Sequence, residues 1–365
     1  MSKKPIFYAD QVGSLLRTDV IKQARLDKVS GAITASQLRD VEDREIARII
    51  EKQKEVGIQA ITDGEFRRAW WHFDFLEDLK GVEGYWAGSG IQFQQTQTKS
   101  RAIKVTSKLD FDQHPFIDHF KFLHKHVGEN HVAKYTIPSP SMLHFRGEVD
   151  STVYPDEDEF FDDLANTYKK AIQAFYDAGC RYLQLDDTAW AYLCSAEQKE
   201  QLKANGKDPE YLIQAYLHTL NKAVADRPDD MKITMHICRG NFRSTWISSG
   251  GYEPVAEQIF GHLNIDGFFL EYDNERSGGF EPLRFVNRPD LEIVLGLITS
   301  KHGQLEDPEL IKRRIDEAAK IVPLEQLRLS PQCGFASTEE GNVLTEDEQW
   351  EKLRHVVNIA NDVWK

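Results

Sequence analysis

One unit recurs along the chain: an amphipathic helical stretch, a glycine that closes it, and a short apolar run ending in polar residues. The segment TASQLRDVEDREIARIIEKQKEVG (34–57) places Leu38, Val41, Ile46, Ile49 and Ile50 at near-helical spacing, with Thr34 or Ser36 as N-cap and Gly57 just past the end. The run IQAITDGE then reads as a strand. DEFFDDLANTYKKAIQAFYDAG (158–179) repeats the pattern, stops at Gly179 and gives way to CRYLQLDD. Six further runs have strand character: IFYADQVG, HVAKYTIPSP, MKITMHIC, GFFLEYD, LEIVLGLIT and QLRLSPQC. Eight strands separated by helices predict an α/β fold, a (β/α)8 TIM barrel, with a doubly wound parallel sheet as the structural alternative.

A chain of 365 residues can fill one such barrel, so residues 1–365 are expected to form a single domain. One region departs from the repeat. Between Glu65 and Pro138 lie about seventy residues, more than a strand-to-helix connection needs. Within it IQFQQTQTKSRAIKVTS (91–107) alternates like a β-hairpin, which predicts an insertion over about 70–130, after strand 2. The adjoining AWWHFDFLEDLKGVEGYW supplies Trp70, Trp71, Phe73, Phe75, Tyr85 and Trp86. Packing of the insertion onto the barrel accounts for most of these rings; a lid over a pocket is the functional alternative.

Charge and cysteine content narrow the function. Lysine and arginine total 45 against 59 acidic residues, a formal charge of −14, which argues against a nucleic-acid partner. No run of apolar residues is long enough to cross a bilayer. The start MSKKPIFYADQVGS lacks the apolar core of a secretory signal, so a cytoplasmic protein is expected. Cys180, Cys194, Cys238 and Cys333 are scattered, which is no disulfide framework and suits a reducing compartment. Homo-oligomerisation is left open.

In a barrel of this type functional side chains gather where the strands end. Those positions carry Gly13 and Ser14, Asp63 and Glu65, Asp186 and Asp187, His236 and Cys238, Glu271, Thr299 with nearby His302, and Cys333. His236 and Cys238, two residues apart, point to the same side of their strand. Glu271 and Cys333 add a carboxylate and a second thiolate from later strands. One His, two Cys and one Glu form a four-ligand set that suits Zn2+ better than magnesium or calcium. Cys180 and Cys194 read as inert core residues, and Asp63 and Asp187 as helix or turn caps.

Several motifs together, VGSLLRT, TDGE, LQLDD, HIC, LEYD and LSPQCGF, make the sequence similar to the short single-barrel relatives of cobalamin-independent methionine synthase. The resemblance spans nearly the whole chain and matches that enzyme's catalytic C-terminal barrel. It implies zinc held by His236, Cys238, Glu271 and Cys333. It also implies a homocysteine pocket with Gly13 and Ser14 near the carboxylate, and Glu65 with Asp186 near the ammonium. His302 corresponds to the family's proton donor. On the donor side the family's tryptophan and glutamate fall near His144 and Tyr192, so that half of the site looks changed. The long enzyme's extra N-terminal barrel has no counterpart here.

The chemistry behind these implications is general. A methyl group on a tertiary amine is a poor electrophile, so the attacking sulfur must be a thiolate and the leaving nitrogen must gain a proton. Free thiols are mostly protonated at neutral pH, whereas metal coordination deprotonates them. The expected activity is therefore zinc-dependent methyl transfer to L-homocysteine, giving methionine, from a methyl-folate or another methyl carrier, as in 5-methyltetrahydropteroyltriglutamate–homocysteine methyltransferase. The alternatives are a zinc thiol-alkyltransferase resembling epoxyalkane:coenzyme M transferase and a structural zinc protein. Glycoside hydrolysis by paired carboxylates leaves the thiolates without a purpose, and a uroporphyrinogen decarboxylase-like lyase needs no metal.

Overall fold

The computed structural model describes residues 7–92 and 98–364. Its strands are β1 (Ala60–Ile61), β2 (Lys80–Trp86), β3 (Arg101–Asp110), β4 (Val132–Pro138), β5 (Gly147–Val149), β6 (Tyr182–Asp187), β7 (Lys232–Ile237), β8 (Gly267–Glu271), β9 (Glu292–Ile298) and β10 (Leu327–Pro331). Among the described residues, seven of them form one sheet in the order β1-β4-β6-β7-β8-β9-β10. Every pairing in it is parallel. The two edge strands are both reached by the N-terminal segment: Ala9 bridges Leu329 within β10, and Ser14 bridges Gly64 just beyond β1. The sheet is thereby curled, with helices on its outer side.

The first expected strand, IFYADQVG, makes these isolated bridges rather than a continuous ladder. The cause is local. Asp10 Oδ1 accepts the Gln11 backbone N–H at 2.7 Å, and the Gln11 carbonyl accepts from Lys134 Nζ, so side chains occupy groups that a ladder would use. The helices follow the pattern read from the sequence. Ala35–Glu55 starts at Thr34 with a capping box, and Glu157–Asp177 starts at Asp156. Both run out at glycines with positive φ, Gly57 at 92° and Gly179 at 102°.

Strand alternation sorts the buried residues into two sets. Tyr135, Ile137, Leu183, Leu185, Ile233, Met235 and Ile237 join the large core beneath the helices. The opposite parity faces the inside of the curl, where Val12, Ala60, Tyr182, Phe269 and Val294 form a small separate cluster. Lys134 and Asp10 lie there too, both fully buried and 3.2 Å apart. Tyr182 donates its hydroxyl to Asp10 at 2.6 Å, and the Lys134 ammonium sits 3.9 Å from the Phe269 ring centroid. This pair ties the N-terminal segment to β4 and so fixes where Ser14 stands.

The 70–130 stretch differs in detail from expectation. Residues 93–97 of the expected hairpin lie outside the described residues. The run after them does form a strand, β3, but its antiparallel partner is β2, with Trp86 opposite Arg101, and β5 adds to its other edge in parallel. Two glycines in KGVEGYW hide the alternation of β2. A helix, Pro115–Val127, follows and packs on β4.

Removing one partner of a buried ion pair strands the other charge. Asp10→Ala is expected to lower unfolding free energy by about 3–5 kcal/mol in urea denaturation, with the double variant Asp10→Ala/Lys134→Met recovering part of that loss.

Candidate metal and substrate site

Where β7 ends, His236 and Cys238 face the inside of the curl. Glu271 is the last residue of β8, and Cys333 stands just beyond β10. The ligand atoms of these four buried residues all lie within 4.8 Å of one another. The sulfurs of Cys238 and Cys333 are 3.6 Å apart. A tetrahedral ion with metal–sulfur bonds of about 2.3 Å spaces two sulfurs by about 3.8 Å, so the pair already has the separation a metal needs. The donor set therefore fits a thiophilic four-coordinate ion.

The surroundings hold each ligand in place. His236 Nδ1 faces Asp186 Oδ1 at 3.4 Å, and Nε2 faces the Gln332 carbonyl at 3.2 Å. Glu271 Oε1 accepts the Arg239 backbone N–H at 2.7 Å, and Oε2 pairs with the Arg276 guanidinium. Arg276 also meets Asp273 at 3.2 Å, which meets Lys301 at 2.9 Å. The protons are shared accordingly. The hydrogen bond from Cys238 favours the Cys333 thiolate and pushes Cys333 below its usual range against the effect of burial. The same bond, with burial added, raises Cys238 well above its own. Burial alone would lower His236, but the Asp186 hydrogen bond and the charges of Cys333, Asp186 and Glu271 raise it to about 9.

A cavity of about 290 Å³ opens beside this cluster, lined by Ser14, Glu65, Trp71 and Asp186 together with His236 and both cysteines. Glu65 is held in the left-handed region at φ 60°, a strained conformation for a residue with a side chain. Its Oε1 accepts from Thr136 at 2.8 Å and faces Arg68 at 3.4 Å, while Oε2 is buried with no hydrogen-bond partner among the described residues. Burial raises its pKa to about 7, Arg68 opposing and Asp186 reinforcing the shift. Asp186 accepts from Gln184 at 2.7 Å. Gly13 has φ 142°, and a Cβ there would meet Thr136 Cγ2 at 2.7 Å. Its glycine lets the chain pass close to Thr136 and turn Ser14 toward the cavity.

The structure thus brings together His236, Cys238, Glu271 and Cys333, and beside them Ser14, Glu65 and Asp186, with Gly13 in the adjoining backbone. His302 is exposed in the loop after β9 and is not among the residues lining this cavity; its neighbour Lys301 is the one turned inward. His144 is buried, with its ring nitrogens facing the Tyr216 hydroxyl at 2.8 Å and Glu157 at 3.0 Å. Asp63 and Asp187 accept backbone N–H groups of Glu65 and Trp190, each at 2.9 Å, which is a capping role.

Sequence reasoning missed a second cavity, of about 390 Å³, on the other side of Cys238. Its wall includes Trp70, Trp71, His72, Arg146, Asn241 and Phe242. The paired tryptophans were visible as surplus aromatic surface. Arg146 and Asn241 carried no spacing signal, because loops between distant strands bring them here.

A family model described as "Cobalamin-independent synthase, Catalytic domain" matches residues 145–362. The chain is 62% identical over 363 residues to the uncharacterised protein YxjH of Bacillus subtilis, covering 100% of this chain and 96% of that one. It is 24% identical over 336 residues to a methionine synthase of Sulfurisphaera tokodaii, covering 92% and 88%. Among solved structures it resembles a candidate vitamin-B12-independent methionine synthase from Listeria monocytogenes, with TM-score 0.83, 57% identity and 100% of both chains covered. A B12-independent methionine synthase from Shewanella sp. W3-18-1, solved with selenomethionine, shares the fold at TM-score 0.72 and 18% identity, covering 98% and 97%.

Loading the protein with Zn2+ or Co2+ is expected to give about one tightly held ion per chain. Cys238→Ser and Cys333→Ser should lose it and Cys180→Ser should keep it, as read by metal analysis after dialysis. Equal metal content in all three variants contradicts the ligand assignment.

Proposed function

Because this chain belongs to the cobalamin-independent methionine synthase catalytic-domain family, we propose that it is a zinc-dependent S-methyltransferase that converts L-homocysteine to methionine. One observation carries the reading: the His-Cys-Glu-Cys cluster opens onto a cavity whose other polar walls are Ser14, Glu65, Asp186 and Ser337. A thiol bearing an α-amino group is the ligand that uses both halves. An acidic pocket beside two cysteines favours homocysteine over a thiol without an ammonium, such as coenzyme M, which is the alkyltransferase alternative.

His236, Cys238, Glu271 and Cys333 would hold the zinc ion. When bound, zinc supplies the Lewis acidity that keeps a substrate thiol deprotonated at neutral pH. Glu65 and Asp186 bind and orient the substrate ammonium, and Ser14 with the Gly13 backbone meets its carboxylate. Trp71 closes the apolar side of the pocket and limits access of water. The substrate sulfur forms its bond to the methyl carbon as the bond to the leaving atom breaks, the electron pair staying on that atom. A departing amine nitrogen then takes up a proton. His302 is the donor implied by the resemblance; exposed in its loop, it would deliver that proton from the solvent side.

We read residues 1–365 as one (β/α)8 barrel domain whose first strand is the bridging N-terminal segment, with an insertion over about 70–130. We also assign the protein to the cytoplasm; among the described residues no helix is long and apolar enough to cross a membrane. Triglutamyl methyl-folate is assigned as a poor methyl donor. The insertion's basic side chains, which could have attracted its tail, already have acidic partners: Lys99 with Glu339, Arg101 with Glu77 and Lys104 with Asp150.

The activity test is methionine formation from homocysteine with mono- and triglutamyl methyl-folates and a methylcorrinoid. A second prediction concerns pH. Ammonium binding needs ionised Glu65, whose pKa in the free protein lies at about 7. Below that pH, binding must first remove a proton. Methionine affinity should therefore rise about tenfold per pH unit up to about 7 and level off above it. Glu65→Gln should weaken methionine about ten- to a hundredfold and flatten the profile. A flat wild-type profile in calorimetric titrations contradicts the Glu65 assignment.

A further inference from the structure

The loops that follow β7 and β8 touch behind the four-residue cluster, where the Gly250 backbone N–H donates to the Arg276 carbonyl at 2.8 Å. Arg239, on the first of these loops, is fully buried, and none of its three guanidinium nitrogens has a hydrogen-bond partner among the described residues. Its guanidinium lies over the Tyr252 ring, 4.4 Å from the centroid. A ring face draws the charge without replacing the hydrogen bonds that a guanidinium donates. Tyr272, on the second loop, packs edge-on against the same Tyr252 ring at 5.4 Å, and its buried hydroxyl has no partner either. Arg276 is near enough for Arg239 to oppose its charge, and its Nε and Nη1 are likewise buried and unpaired.

The charge in this place does not balance. Arg239, Arg276 and Lys301 are cations, and the carboxylates that the described residues set against them are Glu271 and Asp273. Both are already engaged. Glu271 accepts the Arg239 backbone N–H and pairs with Arg276, and Asp273 lies between Arg276 and Lys301. No thiol or phenol makes up the difference: burial pushes Cys194 up to about 11 and raises Tyr252 and Tyr272 above their ordinary range, so all three stay neutral. On the other side of Glu271, a divalent ion held by two thiolates would add no net charge. A buried charge without a partner is strongly destabilising, and a set of orphaned buried donors points to water or an ion that completes it. The excess here is positive, which a monovalent anion offsets and water does not.

We propose that Arg239, Arg276 and Tyr272 hold a small monovalent anion, chloride in ordinary solution, as a resident part of the fold between the β7 and β8 loops. Burial of the donors favours a single-atom ion over sulfate or phosphate, whose several oxygens need more bonds and whose second charge overshoots the balance. The ion ties together the two loops that position Cys238 and Glu271, and it offsets the guanidinium of the residue whose backbone N–H holds Glu271 Oε1. The inference needs neither a substrate nor a reaction and so stands apart from the methyl-transfer reading.

The experiment follows thermal unfolding of the metal-loaded protein as sodium chloride replaces sodium methanesulfonate at constant ionic strength, and locates bromide by anomalous diffraction in crystals grown with sodium bromide. The unfolding midpoint is expected to rise by about 2 °C or more and to saturate, as binding of one ion requires. Bromide should occupy one buried position in contact with the Arg239 guanidinium and the Tyr272 hydroxyl. Arg239→Met should abolish the chloride response. Tyr272→Phe keeps the ring and removes one donor, and should move that response to about tenfold higher chloride. If Arg239→Met does not fold, Tyr272→Phe and the bromide position decide. A wild-type midpoint equal in both salts, bromide that does not reach Arg239, or a wild-type chloride response in the folded variants overturns the proposal.

Discussion

Two cysteine sulfurs 3.6 Å apart in a buried site, with an imidazole and a carboxylate beside them, confine how charge can be arranged at the end of β7. Without an ion the group settles by sharing protons: Cys333 tends to the thiolate, Cys238 keeps its hydrogen and His236 is drawn toward the cation. A divalent thiophilic ion would be held by both sulfurs together with His236 and Glu271, and would favour loss of the proton on Cys238. Much of the surrounding structure serves this arrangement. Asp186 orients the His236 ring, and the Arg276–Asp273–Lys301 network fixes Glu271 from behind.

The acidic cavity beside this cluster depends on a second constraint, the way the N-terminal segment joins the sheet. The Lys134–Asp10 pair anchors that segment inside the curl. Arg17, itself buried, donates to the carbonyls of Leu15, Gly64, Ala336 and Arg68 and so ties three chain segments together at the rim. Ser14 and Gly64 are neighbours as a result, and Glu65 follows Gly64 in a strained conformation that turns its carboxyl into the cavity. That strain and the burial of Glu65 have a common consequence. The carboxyl lacks a full set of partners among the described residues, and on the proposed function a substrate ammonium would supply what is missing.

The clustering of His236, Cys238, Glu271 and Cys333 was legible in the sequence because strand periodicity and the end-of-strand rule act on short, local patterns. His236 and Cys238 are two residues apart on one strand, and Glu271 and Cys333 occupy matching positions on β8 and just after β10. The capped helix Ala35–Glu55 was legible for the same reason, through Thr34 and Gly57. What escaped was set by contacts between loops. The second cavity joins Trp70 and His72 from one loop, Arg146 from another and Asn241 from a third, with no periodicity linking them. The partner of β3 was misjudged because glycines in β2 blur its alternation, and the first strand proved to be a pair of bridges because Asp10 and Lys134 take up its backbone groups. The inward turn of Lys301 rather than His302 depends on Asp273, a residue beyond β8 that no local signal connects to that loop.

The central claim is that the four-residue cluster is a working centre that a substrate sulfur reaches, and not a closed structural site. Cobalt substitution tests it most directly, since the visible spectrum of cobalt reports its ligand sphere. Addition of homocysteine to the cobalt-loaded protein should increase the sulfur-to-metal charge-transfer absorption, and Glu65→Gln should shift that response to higher homocysteine concentration. A spectrum unchanged by saturating homocysteine would mean a closed site and would contradict the account.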